Sequence, residues 1–180
     1  MASIVVSGDT SGAVTLSAPS VAGTNTITLP AATGTAMVSG NMPAFGTYKS
    51  SGQTFTSGVL TKITFDTEEF DTNNNFASSR FTPTVAGYYQ FNFMLNAIDT
   101  STGVVTAFAG YFYKNGSRYE DGFYLGSTGK CSSSAIIYLN GSTDYVEVYC
   151  LISSTATAGV YGSSIGNGQS WFNGSMVRSA

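Results

Sequence analysis

An all-β sandwich is the fold this sequence predicts, and three observations carry the prediction. Tyr89, Phe91, Phe93 and Leu95 fall at every second position, between polar Gln90, Asn92 and Asn96. That is the period of a half-wet antiparallel strand. Charged residues make up only 9% of the chain and aromatics 13%, with Gly, Ser and Thr filling much of the rest. This balance suits many short strands and turns better than helices or a disordered chain. Asn-Gly pairs at 115–116 and 140–141 then interrupt the apolar runs, as turn formers do. Aromatics bury the most area per residue, so the 89–95 stretch is the expected centre of the core.

Taken in order, residues 1–42 contain no Phe, Tyr or Trp and cannot build a core alone. Val14 and Leu16, then Ile27 and Leu29, alternate with Thr and Ser in short strand-like pieces. We read 1–42 as an arm that orders only against another chain, and 43–180 as a globular head. In the head, strands are expected at 45–49, 53–55 and 60–65, with a loop at 73–75. Pro83 lacks an N–H for a ladder and marks a strand end. Gly87 is expected to supply a turn before the core strand 88–97. A rich apolar strand at 104–113 leads to a long loop at 117–130. Strands 131–139 and 144–152 are expected to pair as a hairpin across Asn140-Gly141. Segments 158–165 and 171–178 complete a sandwich in which no helix is needed. With an even number of strands, both ends of the head lie at one pole. The turns 99–103, 140–143 and 166–169 are then expected at the opposite tip.

The residue types exclude much chemistry. There is no His in the sequence, which removes the usual general base, the usual metal ligand and every Ser-His or Cys-His pair. No Gly-rich phosphate loop is followed by Lys. Asp66, Glu68, Glu69 and Asp71 form the main acid cluster. A glycosidase would need one carboxyl buried to raise its pKa, and nothing around these residues suggests that. A solvated strand edge is the plain reading; calcium, completed by several more oxygens from elsewhere, is the alternative. Net charge is −3 with no basic patch, so nucleic acid is not an expected partner. No apolar run is long enough to span a membrane, and the N-terminus reads as no secretory leader. A two-residue turn at Asn140-Gly141 would set Cys131 opposite Cys150, at a hydrogen-bonded pair that suits a disulfide poorly. We expect two buried free thiols instead. The three Asn-Gly-Ser sites at 115, 140 and 173 read as turns. Contact with a ligand is expected at the tip and the long loop, through Asp99, Tyr119, Asp121, Tyr124, Asn140 and Asn167.

Several motifs come in a telling order: Phe65-Asp66, Phe70-Asp71, Arg80-Phe81-Thr82-Pro83 and Ala86-Gly87-Tyr88-Tyr89-Gln90-Phe91. They are followed by Lys114-Asn115-Gly116, the segments 134–139 and 144–148, and finally 159–164 and 171–177. Over residues 43–178 the chain resembles the globular head of complement component 1q, which shares a trimeric jelly roll with tumour necrosis factor. The resemblance implies a jelly-roll β-sandwich and a homotrimer, and in some members calcium at the trimer tip. The collagen-like stem of that family is missing. Composition agrees with assembly. Val104, Phe108, Tyr111, Tyr113, Phe123, Tyr124, Tyr138, Tyr149, Tyr161 and Trp171 cannot all face one interior. We expect Tyr111, Tyr113, Tyr138, Tyr149 and Trp171 between copies. The segment 26–35, Thr-Ile-Thr-Leu-Pro-Ala-Ala-Thr-Gly-Thr, resembles one common near the N-termini of bacteriophage tail and fibre proteins. Together these imply a virion structural protein and not an enzyme. Residues 1–42 would dock on the tail or capsid, and the head would face a host-surface glycan. A capsid decoration protein is the alternative, and a glycan depolymerase a more distant one.

Overall fold

A computed structural model describes residues 3–28, 31, 33–34, 36–98, 105–124, 129–155, 157–162 and 170–180; the side chains of Phe123 and Tyr124 are outside that description. The chain divides into two compact units, 1–34 and 35–180. No described helix is long and apolar enough to cross a membrane.

In the first unit, β1 (Ser3–Ser7) and β2 (Ala13–Ser17) form an antiparallel ribbon. Ile4 faces Leu16 and Val6 faces Val14 across it, so four apolar side chains share one face. All four are at least 60% exposed. A lone two-stranded ribbon is marginal in water. Ile27, expected in a strand, lies outside any strand, and Leu29 is not among the described residues.

The second unit starts before the expected head. Met37 packs against the core, and Asn73 donates from its amide to the Gly40 carbonyl at 3.2 Å. A single 3-10 turn, Ser39–Asn41, precedes β3 (Ala44–Tyr48). Then come β4 (Gln53–Phe55), β5 (Thr61–Lys62), β6 (Thr67–Asp71), β7 (Phe76–Ala77) and β8 (Arg80–Phe81). Longer strands follow: β9 (Gly87–Asn96), β10 (Val105–Lys114), β11 (Ser117–Tyr124), β12 (Lys130–Leu139) and β13 (Val146–Ser154). β14 (Ala158–Val160) and β15 (Trp171–Ser179) end the chain.

These make two antiparallel sheets. The first runs β12-β9-β15-β3-β6; the second runs β11-β10-β13-β8-β7, with β5 also on β13. β4 and β14 pair separately. The core lies between the sheets. Tyr89, Phe91, Phe93 and Leu95 are each fully buried, as their spacing predicts. Phe93 meets Phe112 of the second sheet at 4.8 Å between ring centres, and Phe45 stacks on Phe81 at 4.5 Å. Such aromatic pairs add to the burial of area.

Three expectations are corrected here. Gly87 is not a turn: it is the buried first residue of β9, and a Cβ there would strike the Arg178 carbonyl of β15. Residues 117–124 are not loop but β11, because Asn115 and Gly116, with φ of 52° and 78°, reverse the chain tightly onto β10. Positive φ at both central residues is what a twisted hairpin asks for. Strands β12 and β13 do not form a hairpin. β12 joins β9 in the first sheet and β13 joins β10 in the second, so the Asn140 turn crosses between sheets. Cys131 therefore lies opposite Leu95, and Cys150 opposite Gly110. Both are free and buried.

The poles are corrected too. Leu139 pairs with Gly87, and Gly87 with Ser179. That puts the Asn140–Thr143 turn at the end of the sandwich where the chain finishes, not at the opposite tip. At the far end Ser170 accepts the Asn96 N–H at 3.1 Å. The turns 99–103 and 166–169 are outside the described residues.

Candidate functional site

The head offers two outer sheet faces. On the first sheet, alternate residues point away from the core. Their centre is a polar ladder across three strands. Asn92 donates to the Asn173 side-chain oxygen at 3.1 Å, Ser134 donates to Asn92 at 2.9 Å, and Gln90 donates to Ser134 at 2.6 Å. Around it stand Phe70, Tyr88, Ile136, Tyr138 and Val177, each at least 40% exposed. Tyr88 and Tyr138 meet at 5.4 Å between ring centres. Trp171 is half-buried on this face, beside a shallow cleft of about 280 Å³ that Asn173 and Glu69 also line.

The outer face of the second sheet carries a different set. Tyr113 and Tyr149 meet at 4.3 Å between ring centres, tilted by 34°, and the Arg118 guanidinium lies 4.2 Å above the Tyr111 ring. Arg118 pairs with Asp121 through two hydrogen bonds, which pull the Asp121 carboxyl below its ordinary pKa. Glu147 sits among these groups, 2% exposed. Its Oε1 accepts from Lys62 at 2.7 Å and from Arg80 Nε at 2.8 Å. Burial alone would push the Glu147 carboxyl up; the two cations outweigh it and hold it below the ordinary value. Arg80 is itself pressed 3.7 Å above the Tyr145 ring.

The five aromatics expected in one interface are thus split. Tyr138 and Trp171 belong to the first sheet's outer face; Tyr111, Tyr113 and Tyr149 belong to the second's. Of the expected ligand residues, Asp121 and Tyr119 are on β11, not on a loop. Tyr119 is the extra residue where Phe112 and Tyr113 pair with Glu120 and Arg118, and it is 49% exposed. A bulge re-aims a side chain in this way. Asn140 faces its own turn, its side-chain oxygen accepting from the N–H groups of Ser142, Thr143 and Asp144 at 2.9–3.0 Å. Asp99, Asn167 and Val104 are outside the described residues, as is the side chain of Tyr124.

The acid cluster is split between structural work and the strand edge. Asp66 accepts from the Ser50 N–H at 2.6 Å and the Ser51 hydroxyl at 2.9 Å. Burial raises its pKa, but these bonds and the Lys49 charge prevail and bring it to about 2. Asp71 accepts from the Asn73 and Phe76 N–H groups at 3.3 and 2.7 Å. Glu68 is exposed on β6, an edge strand. Among the described residues no three His, Cys, Asp or Glu side chains gather to hold a metal.

No family model matches the chain, and no curated protein is similar to it. Solved structures do share its fold. One is murine APRIL at pH 8.0, with a TM-score of 0.56, 8% identity, and coverage of 76% of this chain and 99% of that one. Another is the Eiger TNF from S. frugiperda, with a TM-score of 0.53, 8% identity, and coverage of 77% and 93%. The head is a tumour necrosis factor-like jelly roll. At such identity the likeness is one of fold alone. The two outer faces are this chain's own.

Nothing local in the sequence marks Glu147, Lys62 and Arg80 as one group. They are far apart along the chain, and only the β5–β13–β8 pairing joins them. A Glu inside the apolar run 145–152 was the available signal, since an isolated buried carboxylate needs partners.

Proposed function

We propose that the chain is a non-enzymatic, homotrimeric structural protein of a bacteriophage virion. The jelly-roll head assembles through the outer face of its first sheet. The N-terminal unit fastens the trimer to the tail or capsid, and the second sheet's outer face is left to contact the surroundings, including a host-surface glycan. The observation that carries this reading is the cluster of Tyr88, Ile136, Tyr138 and Val177, exposed together on the neighbouring strands β12, β9 and β15, with Phe70 exposed on the edge strand of the same sheet. Soluble monomers avoid contiguous apolar patches of this kind, and interfaces favour aromatics and depleted charge. The amide and hydroxyl ladder at the centre meets many of its own hydrogen-bond needs, so covering it carries a reduced desolvation cost. Closed rotational symmetry keeps such an assembly finite. The resemblance to complement component 1q supplies the number three.

The bacteriophage setting is supported by the 26–35 segment. The ribbon with Ile4, Val6, Val14 and Leu16 on one uncovered face suits a unit that docks on another chain. Against catalysis stand the absence of His from the sequence and the engagement of Asp66, Asp71 and Glu147 by neighbours. Light scattering of the purified protein at micromolar concentration is the test. We expect the mass of three chains; a monomer mass would remove the proposal.

A further inference from the structure

At the β5–β7–β8 end of the second sheet lies a cleft of about 460 Å³, lined by Lys62, Asn74, Ser78, Arg80 and Thr82 among others. Two cations, Lys62 and Arg80, share the single carboxylate of Glu147, so the cleft keeps one surplus positive charge. This happens in a protein of net charge −3. Both cations are held in place. Lys62 also donates to the Ser78 carbonyl at 2.9 Å, and the Arg80 guanidinium rests on Tyr145. Their side chains remain 28% and 42% exposed, while Glu147 is 3% exposed. The carboxylate is thus behind the cations, and the open side is cationic. The rim is shaped by tight turns: Ser78 and Ser79, with φ of 51° and 56°, are the two central residues of the β7–β8 hairpin, and Asn74 has a φ of 53°.

We propose that this cleft binds the carboxylate of an acidic saccharide. Arg80 offers N–H groups beyond those given to Glu147, and guanidinium groups suit carboxylates. Asn74 and Thr82 add neutral polar groups of the sort that sugar hydroxyls pair with. The volume fits a small ligand. The cleft is on the sheet that the trimer proposal leaves uncovered. The inference deepens the glycan-contact part of the proposed function and rests on it for the source of the saccharide.

The test is a titration of the full-length protein with glucuronate, followed by amide chemical shifts, beside methyl glucoside and inorganic phosphate. Glucuronate is expected to move the Asn74, Ser78 and Thr82 amides saturably. Methyl glucoside should not move them, and phosphate, which lacks the ring hydroxyls that Asn74 and Thr82 would pair with, should bind at least about tenfold more weakly. Arg80→Gln should abolish the response. Because that change also removes one of the two cations on Glu147, the double variant Asn74→Gly/Thr82→Val, which leaves the ion pairs and the positive φ at 74 intact, should weaken glucuronate by about tenfold. Absence of saturable shifts, phosphate binding as tightly as glucuronate, or unchanged affinity in the double variant would overturn the proposal. A monomer that binds glucuronate would sink the trimer and keep this site; a trimer that ignores glucuronate would do the reverse.

Discussion

Phe91 has Phe45, Phe81, Tyr89, Phe112 and Phe172 within 6.3 Å between ring centres. Phe91→Ala is expected to cost about 3–5 kcal/mol, as for a large buried ring whose cavity cannot collapse. Denaturant unfolding measures it, and a loss below about 1 kcal/mol would contradict the packing described. Glu147→Gln should also destabilise, by about 2–3 kcal/mol, because Lys62 and Arg80 would be left facing each other without their anion. Asp66 makes a pH-dependent contribution. Its folded pKa of about 2 is below the ordinary carboxylate value, so its stabilisation is complete above about pH 4 and is lost as pH falls toward 2. The group is exposed, so screening cuts the effect to about 1 kcal/mol. Thermal melts of Asp66→Asn should lie about 3 °C below wild type at pH 6 and coincide with it near pH 2. A constant gap at both pH values would sink the assignment.

Among the elements, β10 shows how tightly the sandwich is filled. A Cβ on Gly110 would come within 2.6 Å of the Phe93 ring and 3.1 Å of the Cys131 sulfur. Gly110→Ala is therefore expected to cost about 1–3 kcal/mol by overpacking, which urea unfolding will read. The burial around Gly110 also pushes the Cys131 thiol up to about 11, so slow labelling by thiol reagents in the native state is expected. The N-terminal unit is a separate matter. Its ribbon presents four apolar side chains to solvent, while Met37 and Gly40 belong with the head. Removal of residues 1–34 should leave a cooperatively folding head that, on the proposed function, is unable to dock on a virion. Removal of 1–42 should also lower the melting temperature. If the shorter deletion fails to fold, the division at Gly34 is wrong.

For the whole molecule, assembly is the property to test by substitution. Ile136 and Val177 are 54% and 55% exposed on the first sheet's outer face and support nothing inside the sandwich. The double change Ile136→Lys/Val177→Lys should leave the far-ultraviolet spectrum of the head intact and give a monomer in light scattering. Buried charges at such a centre are costly when unpaired. A trimer that survives both changes would place the contact elsewhere, and the second sheet's Tyr111, Tyr113 and Tyr149 would be the next to substitute.

The alternation of Tyr89, Phe91, Phe93 and Leu95 determined the core strand and its buried face, because a period of two leaves a strand one way to hide four apolar side chains. Turn chemistry placed the reversal at Asn115-Gly116, and low charge with many aromatics announced a sandwich. The order of short motifs pointed to the jelly roll itself. The pairing of strands was not legible. β12 and β13 are separated by a turn that looks like a hairpin, yet they part to different sheets, because pairing depends on which distant strand completes each sheet. β11 read as loop, since Arg118, Glu120 and Asp121 break its apolar alternation and the hydrogen bonds of β10 override that weak propensity. Which tyrosines share a face, and which cations share Glu147, follows from register between residues far apart in sequence. Local spacing determines the side of a strand a residue takes; only tertiary pairing decides what stands next to it.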